Sequence, residues 1–257
     1  MQGDWRLLPL LQAPGAVQMA LDRWLMEQLS LGLQPPTLRF YTWSPPAISL
    51  GYHQRRYPAH WQTLCWQGQP VELVRRPTGG RAVLHQGELT YAITVAGLPG
   101  SRMQVYQSLC EFLIEGWRSL GVDLYYGQAG RGYIHNPNCF GTATIADLIL
   151  PDGRKLIGSA QFRRGSVVLQ HGSMRLCPDP DLYRLVFGEE MALSDPAGQV
   201  AVADGVSPEA IAAQLIPALI SAAERIFHIR LVMQPLTLKE WDGVMAIARS
   251  QFSKERE

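Results

Sequence analysis

The spacing of apolar residues changes period several times along the 257-residue chain. Over residues 16–29, Val17, Leu21, Trp24 and Leu25 share one face at helical spacing, with Gln28 as its polar member, which predicts a helix. Gln34-Pro35-Pro36 stops it. The stretch "TLRFYTW" then alternates, Leu38 and Phe40 against Arg39, Tyr41 and Trp43, and "AISLGY" follows the Pro45-Pro46 break, so two short strands are expected. "VELVRR" reads as a strand running into a Gly-Gly loop, with "RAVLH" and "ELTYAITV" as paired strands after it. Helical spacing returns over residues 103–120 through Val105, Leu109, Phe112, Leu113 and Trp117, giving one helix that covers the sheet. "ATIADLIL", "PDGR", "KLIGSAQF" and "SVVLQHGSM" form a meander whose first turn is Asp152-Gly153.

The last third is mostly helical. Ser207-Pro208-Glu209 supplies a cap, a proline at the first helical position and an early acid; Pro217 is expected to kink the helix that follows. Thr237 and Glu240 have capping-box spacing, flanked by Leu236 and Trp241 as a hydrophobic staple. Residues 194–205, small and polar, read as a mobile loop. The fold class is α+β: a mixed β-sheet flanked by helices, with one domain over residues 1–257 whose part from about residue 206 is helical.

Composition narrows the function. A hydrophobic content of 47% supports a sizeable core. A formal net charge of +1 writes no global attraction to nucleic acid or anionic membrane into the chain. The opening "MQGDWRLLPLLQAPG" lacks a basic region and a long apolar run, which argues against a signal peptide, and no stretch of about twenty apolar residues suggests a span. Cys65, Cys110, Cys139 and Cys177 lie far apart, as reduced cytoplasmic thiols do. With no C-x-x-C and no ligand spacing among six histidines, metal binding is not expected.

Two stretches carry candidate chemistry. In "RRPTGGRAVLH", Gly79 and Gly80 follow a strand without the G-x-G-x-x-G or G-K-[ST] spacing of nucleotide loops. Such a loop serves a turn, or bares N–H groups to an oxygen-bearing ligand that Arg75, Arg76 and Arg81 favour by charge. His85 reads either as a hydrogen-bonding residue of the site or as a satisfied core histidine. In "HNPNCFGTATIADLILPDGRKLIGSAQ", Cys139 sits in a polar Asn/Pro/Gly loop, whereas Cys65 and Cys110 have the neighbours of small core residues. Lys155 follows beyond the Asp152-Gly153 turn, where a hairpin folds it back toward the cysteine; a nearby ammonium favours the thiolate. The bland alternative is a solvated lysine beside a turn.

Taken in order, "RRPTGGRAVLH", "CF", "GRKLIGSAQ" and "LQHGSM" resemble the biotin/lipoate A/B protein ligase superfamily, and within it the octanoyltransferases of the LipM type. The likeness extends through "MALDRWL", "LRFYTWSPPAISLGYHQ" and "LTYAI", over roughly residues 5–190. It implies the fold of the biotin and lipoate protein ligase catalytic domain. It also implies transfer of an octanoyl group from octanoyl-acyl carrier protein to a lysine of a lipoyl domain, such as the glycine-cleavage H protein, with no cofactor. By position, Cys139 matches the acyl-thioester nucleophile and Lys155 the lysine that activates it and holds the acyl carbonyl. Thr78, Gly79 and Gly80 border the acyl group, and Gly158, Ser159 and Ala160 wall the same tunnel. The arginines face the acidic carrier or its phosphopantetheine phosphate. Three other readings stand beside this one: an ATP-dependent lipoate–protein ligase, an amidotransferase between lipoyl domains, and a non-catalytic binder. Against the ligase stand Cys139, Arg81 where a third glycine is usual, and little room for an accessory domain. Gln86 replaces an expected aspartate after His85.

Overall fold

The computed structural model describes residues 3–127, 147–188 and 207–254. The strands are β1 (Asp4–Ala13), β2 (Thr37–Trp43), β3 (Ala47–Leu50), β4 (Cys65–Trp66), β5 (Gln69–Pro70), β6 (Glu72–Arg75), β7 (Val83–His85), β8 (Glu88–Ala96), β9 (Tyr125–Tyr126), β10 (Leu148–Ile149), β11 (Lys155–Arg164), β12 (Val167–Arg175) and β13 (Arg230–Met233). The helices are α1 (Gly15–Ser30), α2 (Arg102–Ser108), α3 (Glu111–Ser119), α4 (Pro180–Phe187), α5 (Pro208–Phe227) and α6 (Leu238–Lys254).

Eight strands form one sheet in the order β13-β1-β2-β8-β12-β11-β10-β9. It is mixed: β1 runs parallel to both β13 and β2, and the pairings from β2 onward are antiparallel. Alternation assigns the two faces. Leu38 and Phe40 of β2 and Leu89, Tyr91 and Ile93 of β8 enter the main core with α3 and α5. The intervening Arg39, Tyr41, Thr90 and Ala92 turn toward α1, on which α6 packs. Close contact of α3 with α5 depends on Gly116, because a Cβ there would stand 2.6 Å from Leu219 Cδ2. A second sheet, β6-β3-β7, carries its own core around Trp61, Leu182 and Val186 and covers one end of the α1 side.

Several expectations change. The helix expected over residues 103–120 is two, α2 and α3, separated at Leu109 and Cys110. Pro217 lies within α5, which continues on both sides of it. That helix is long and apolar enough to cross a bilayer, yet its Ile211, Leu215, Leu219 and Phe227 are buried in the main core. Cys65 is exposed on β4 rather than a core residue, whereas Cys110 is buried, and burial pushes its thiol up to about 12. The opening segment, read only for targeting signals, is the long strand β1. The capping box at Thr237 is present: Thr237 N–H donates to Glu240 Oε2 at 2.7 Å, and Glu240 N–H to Thr237 Oγ1 at 3.3 Å, while Leu236 and Trp241 both pack against the apolar cluster around Leu21 and Trp24. Arg6 of β1 donates to the same carboxylate at 2.8 Å and helps hold Glu240 down at about 2, so α6 is anchored to the sheet. The loop at residues 194–205 lies outside the described residues.

Candidate active site

A cavity of about 310 Å³ lies between the α1 side of the large sheet and the small sheet and reaches past β11 to Arg102, Met103 and Tyr106 of α2. Register fixes its direction. Tyr41 pairs with Thr90, Thr90 with Ser173, and Ser173 with Gly158, so one row of cavity-lining residues crosses β2, β8, β12 and β11. The β2 end is closed by the buried Met19, Tyr41 and Trp43, while Gly158, Ser159 and Ala160 at the β11 end are partly exposed.

Two buried polar networks support the walls. In the first, Arg39 donates to Asp22 Oδ1 from Nε at 3.0 Å and from Nη2 at 2.6 Å. Asp22 Oδ2 lies 2.7 Å from His171 Nδ1, and His171 Nε2 lies 2.6 Å from Thr78 Oγ1. A carboxylate only accepts, so Nδ1 carries the proton. Burial pushes the Asp22 carboxyl up, but Arg39 and His171 outweigh it and hold the group below its ordinary value. Burial pushes His171 down despite Asp22, which favours a neutral ring that accepts from the Thr78 hydroxyl. In the second network, Glu88 receives Thr90 Oγ1 at 2.7 Å and also contacts Ser173 Oγ and His85 Nδ1. His85 Nε2 meets Ser49 Oγ at 2.7 Å, and the ring stacks under Trp43 with centroids 3.8 Å apart. His85 is thus a satisfied buried histidine that also lines the cavity.

The Gly-Gly loop is held by arginine. Arg76 Nη1 donates to Ser49 O at 2.7 Å and Ser49 Oγ at 3.1 Å, and Nη2 to Gly79 O at 2.9 Å and Arg81 O at 2.6 Å. Nε reaches Gly79 O at 3.2 Å, so all five N–H groups of Arg76 point at the loop and β3. Arg75 clamps the neighbouring turn through Gly51 O and Gln54 O, both at 2.8 Å, and does not line the cavity. Neither does Arg81. Gly80 has φ +95°, a region L side chains rarely adopt, and its carbonyl presses on Gly51, which leaves no room for a Cβ there. Gly79 differs: a Cβ would enter open space beside the cavity.

Lys155 is buried on the wall, with Nζ 2.9 Å from Asp147 Oδ1. Beyond it, Ser159 Oγ and Tyr91 OH are 2.8 Å apart, which orients the β11 wall. Lys155, Arg76, Gly79, Gly80, His85, Gly158, Ser159 and Ala160 therefore share one cavity, with Thr78 behind it on His171. Cys139 lies outside the described residues. Asp22, Arg39, Glu88 and Asp147 were not singled out from sequence. Arg39 between Leu38 and Phe40, and Glu88 at the head of an apolar strand, are the available signals: a charge inside a pattern that buries both faces must find a partner.

The model of the lipoyl protein ligase A/B catalytic domain matches residues 14–207. Octanoyltransferase LipM of Kyrpidia tusciae is 38% identical, over 86% of this chain and 92% of its own. Octanoyltransferase LipM of Geobacillus kaustophilus is 32% identical, over 98% and 96%. Among solved structures, a lipoate-protein ligase A bound with ATP superposes with a TM-score of 0.76 at 23% identity, over 98% of this chain and 96% of that one. A bi-partite lipoate protein ligase from Thermoplasma acidophilum gives 0.75 at 21% identity, over 97% and 94%. These two likenesses concern the fold, and they match it in the mixed sheet and its flanking helices. The sequence matches reach further: this chain belongs to the lipoyl protein ligase A/B catalytic-domain family and is an enzyme of lipoyl or octanoyl transfer.

Proposed function

We propose that the chain moves an octanoyl group from octanoyl-acyl carrier protein to a lysine of a lipoyl domain, such as the glycine-cleavage H protein, through a thioester on Cys139. The reaction takes place in the cytoplasm, without ATP. The observation that carries this reading is a buried ammonium beside a largely apolar cavity: Lys155, ion-paired with Asp147, on the wall shared with Gly158. The names of the relatives and the place of Cys139 in an Asn/Pro/Gly stretch of the sequence support it.

The Cys139 thiolate attacks the donor's thioester carbonyl. A C–S bond to the enzyme forms, the C–S bond to the carrier's arm breaks, and the departing thiolate takes a proton. One thioester replaces another of nearly equal energy, so no activation by nucleotide is required. The acceptor amine then attacks the enzyme thioester, an amide forms, and the Cys139 thiol is released. In both steps the Lys155 ammonium stabilises negative charge developing on the carbonyl oxygen. Its pairing with Asp147 keeps the ammonium fixed in a buried position.

Intact-mass measurement tests the reading. Octanoyl-acyl carrier protein without ATP is expected to add one hydroxylamine-labile octanoyl group, absent in Cys139→Ala. Full transfer by Cys139→Ala sinks the mechanism. Robust modification of a lipoyl domain from free lipoate, ATP and Mg²⁺ would favour the ligase reading instead.

A further inference from the structure

The resemblance implies that Arg75, Arg76 and Arg81 face the acidic carrier or its phosphopantetheine phosphate, but the first two are committed to backbone carbonyls of the Gly-Gly loop and its neighbour. Arg102 lines the open end of the cavity, and Arg163 is bonded to Gln161, which also lines it. Arg102, the first residue of α2, is exposed and lines the cavity together with Met103 and Tyr106. Arg163 lies near the end of β11, on the same face as Ser159 and Gln161. A chain of contacts joins them: Arg163 Nε donates to Gln161 Oε1 at 3.0 Å, Gln161 Nε2 to Gln170 Oε1 at 3.0 Å, and Gln170 Nε2 to Tyr106 O at 3.3 Å. Tyr106 is one helical turn after Arg102.

Among the described residues, neither arginine has an acidic partner, and Arg163 Nη2 is buried without any hydrogen-bond acceptor. A buried guanidinium donor left unmatched costs free energy until an oxyanion arrives. We infer that Arg102 and Arg163 bind the phosphodiester of the acyl donor's phosphopantetheine arm, which positions the thioester for attack. The inference rests on the thioester-transfer reading above and adds the group that reads the donor. Four residues of extended β11 separate Ser159 from Arg163 on one face of the strand, about 13 Å. An extended arm lying along this strand joins a carbonyl near Lys155 to a phosphate at the rim. The planar fork of arginine suits two phosphate oxygens at once.

The test compares acylation of the full-length enzyme by octanoyl-phosphopantetheine and by octanoyl-pantetheine, which lacks the phosphate. Wild type is expected to prefer the phosphorylated thioester by about tenfold in kcat/KM, the scale of one or two charge-assisted hydrogen bonds. In the double variant Arg102→Gln, Arg163→Gln the ratio falls to about one, and Arg163→Lys restores part of it. A purely structural role would change both rates and leave their ratio intact. In parallel, free phosphopantetheine should inhibit wild type more strongly than pantetheine does, a measurement that needs no variant. Equal rates and equal inhibition in wild type overturn the assignment, with the thioester mechanism left standing. Variants impaired only with the intact carrier protein also overturn it, since the arginines would then meet the carrier's acidic surface. If no thioester acylates wild type, the proposed function fails and this inference with it.

Discussion

The two faces of β2, β8 and β12 are built from alternate residues of the same strands yet solve opposite problems. Toward α3 and α5, Phe40, Leu89, Tyr91, Ile93, Val168 and Met174 are packed among apolar side chains, and stability follows from area removed from water. Toward α1, Arg39, Thr90, His171 and Ser173 are equally buried but are bonded directly to charged, hydroxyl or indole partners behind the cavity wall. One face tolerates change by volume; the other is governed by whether each polar atom keeps a mate. The fold is concentrated on the first; the site draws chiefly on the second, with Ser159, Gln161 and Tyr106 reaching it from the other side.

The largest expected effect comes from opening the polar face. Arg39→Met leaves Asp22 buried without its guanidinium and removes a partner from Gln18, and should cost about 3–5 kcal/mol in urea unfolding. A loss below about 1 kcal/mol would show that the network is dispensable. On the apolar face, Gly116→Ala forces a Cβ against Leu219, with an expected cost of about 1–3 kcal/mol and little change in acyl-enzyme formation. A fall in acylation as large as that of Arg39→Met would break the division between faces. The smallest effect is in pH dependence. Because the folded His171 resists protonation, the unfolded ring takes up a proton first as pH falls below 6.5. Stability from this residue is complete above that value and declines as pH drops toward the folded pKa. His171→Gln should flatten that slope, whereas Gly116→Ala should leave it as in wild type.

The sequence revealed the apolar face more readily than the polar one, for a physical reason. Leu38 and Phe40, or Val105, Phe112 and Trp117, repeat with the period of their element, and period is visible without partners. Asp22, His171 and Thr78 are 149 and 93 residues apart in their successive contacts, and nothing local to any of them specifies the others. The split between α2 and α3 was hidden for a related reason, since Leu109 and Cys110 continue the apolar spacing across the break. Strands β1 and β13 have weak individual signals; they become strands by pairing with each other and with β2. At the site, the glycines were legible as a group, but their separate tasks were not. Gly80 needs its backbone conformation and Gly51 the absence of a Cβ, whereas Gly79 borders open space. Arg75 and Arg76 were recognisable as charge, while their use as clamps on the loop depends on carbonyls that only the folded chain brings near.

The parallel pairing of β1 with β13 also bears on synthesis. Asp4 to Leu7 lie opposite Arg230 to Met233, so β1 receives its outer neighbour only once residues 230–233 have been translated. Until then β1 can rest on β2, but its other rim of N–H and C=O groups stays open to any extended peptide. A nascent or prematurely terminated chain therefore presents a template for cross-chain pairing that the finished molecule has closed, and it is over this interval that a chaperone has most to protect.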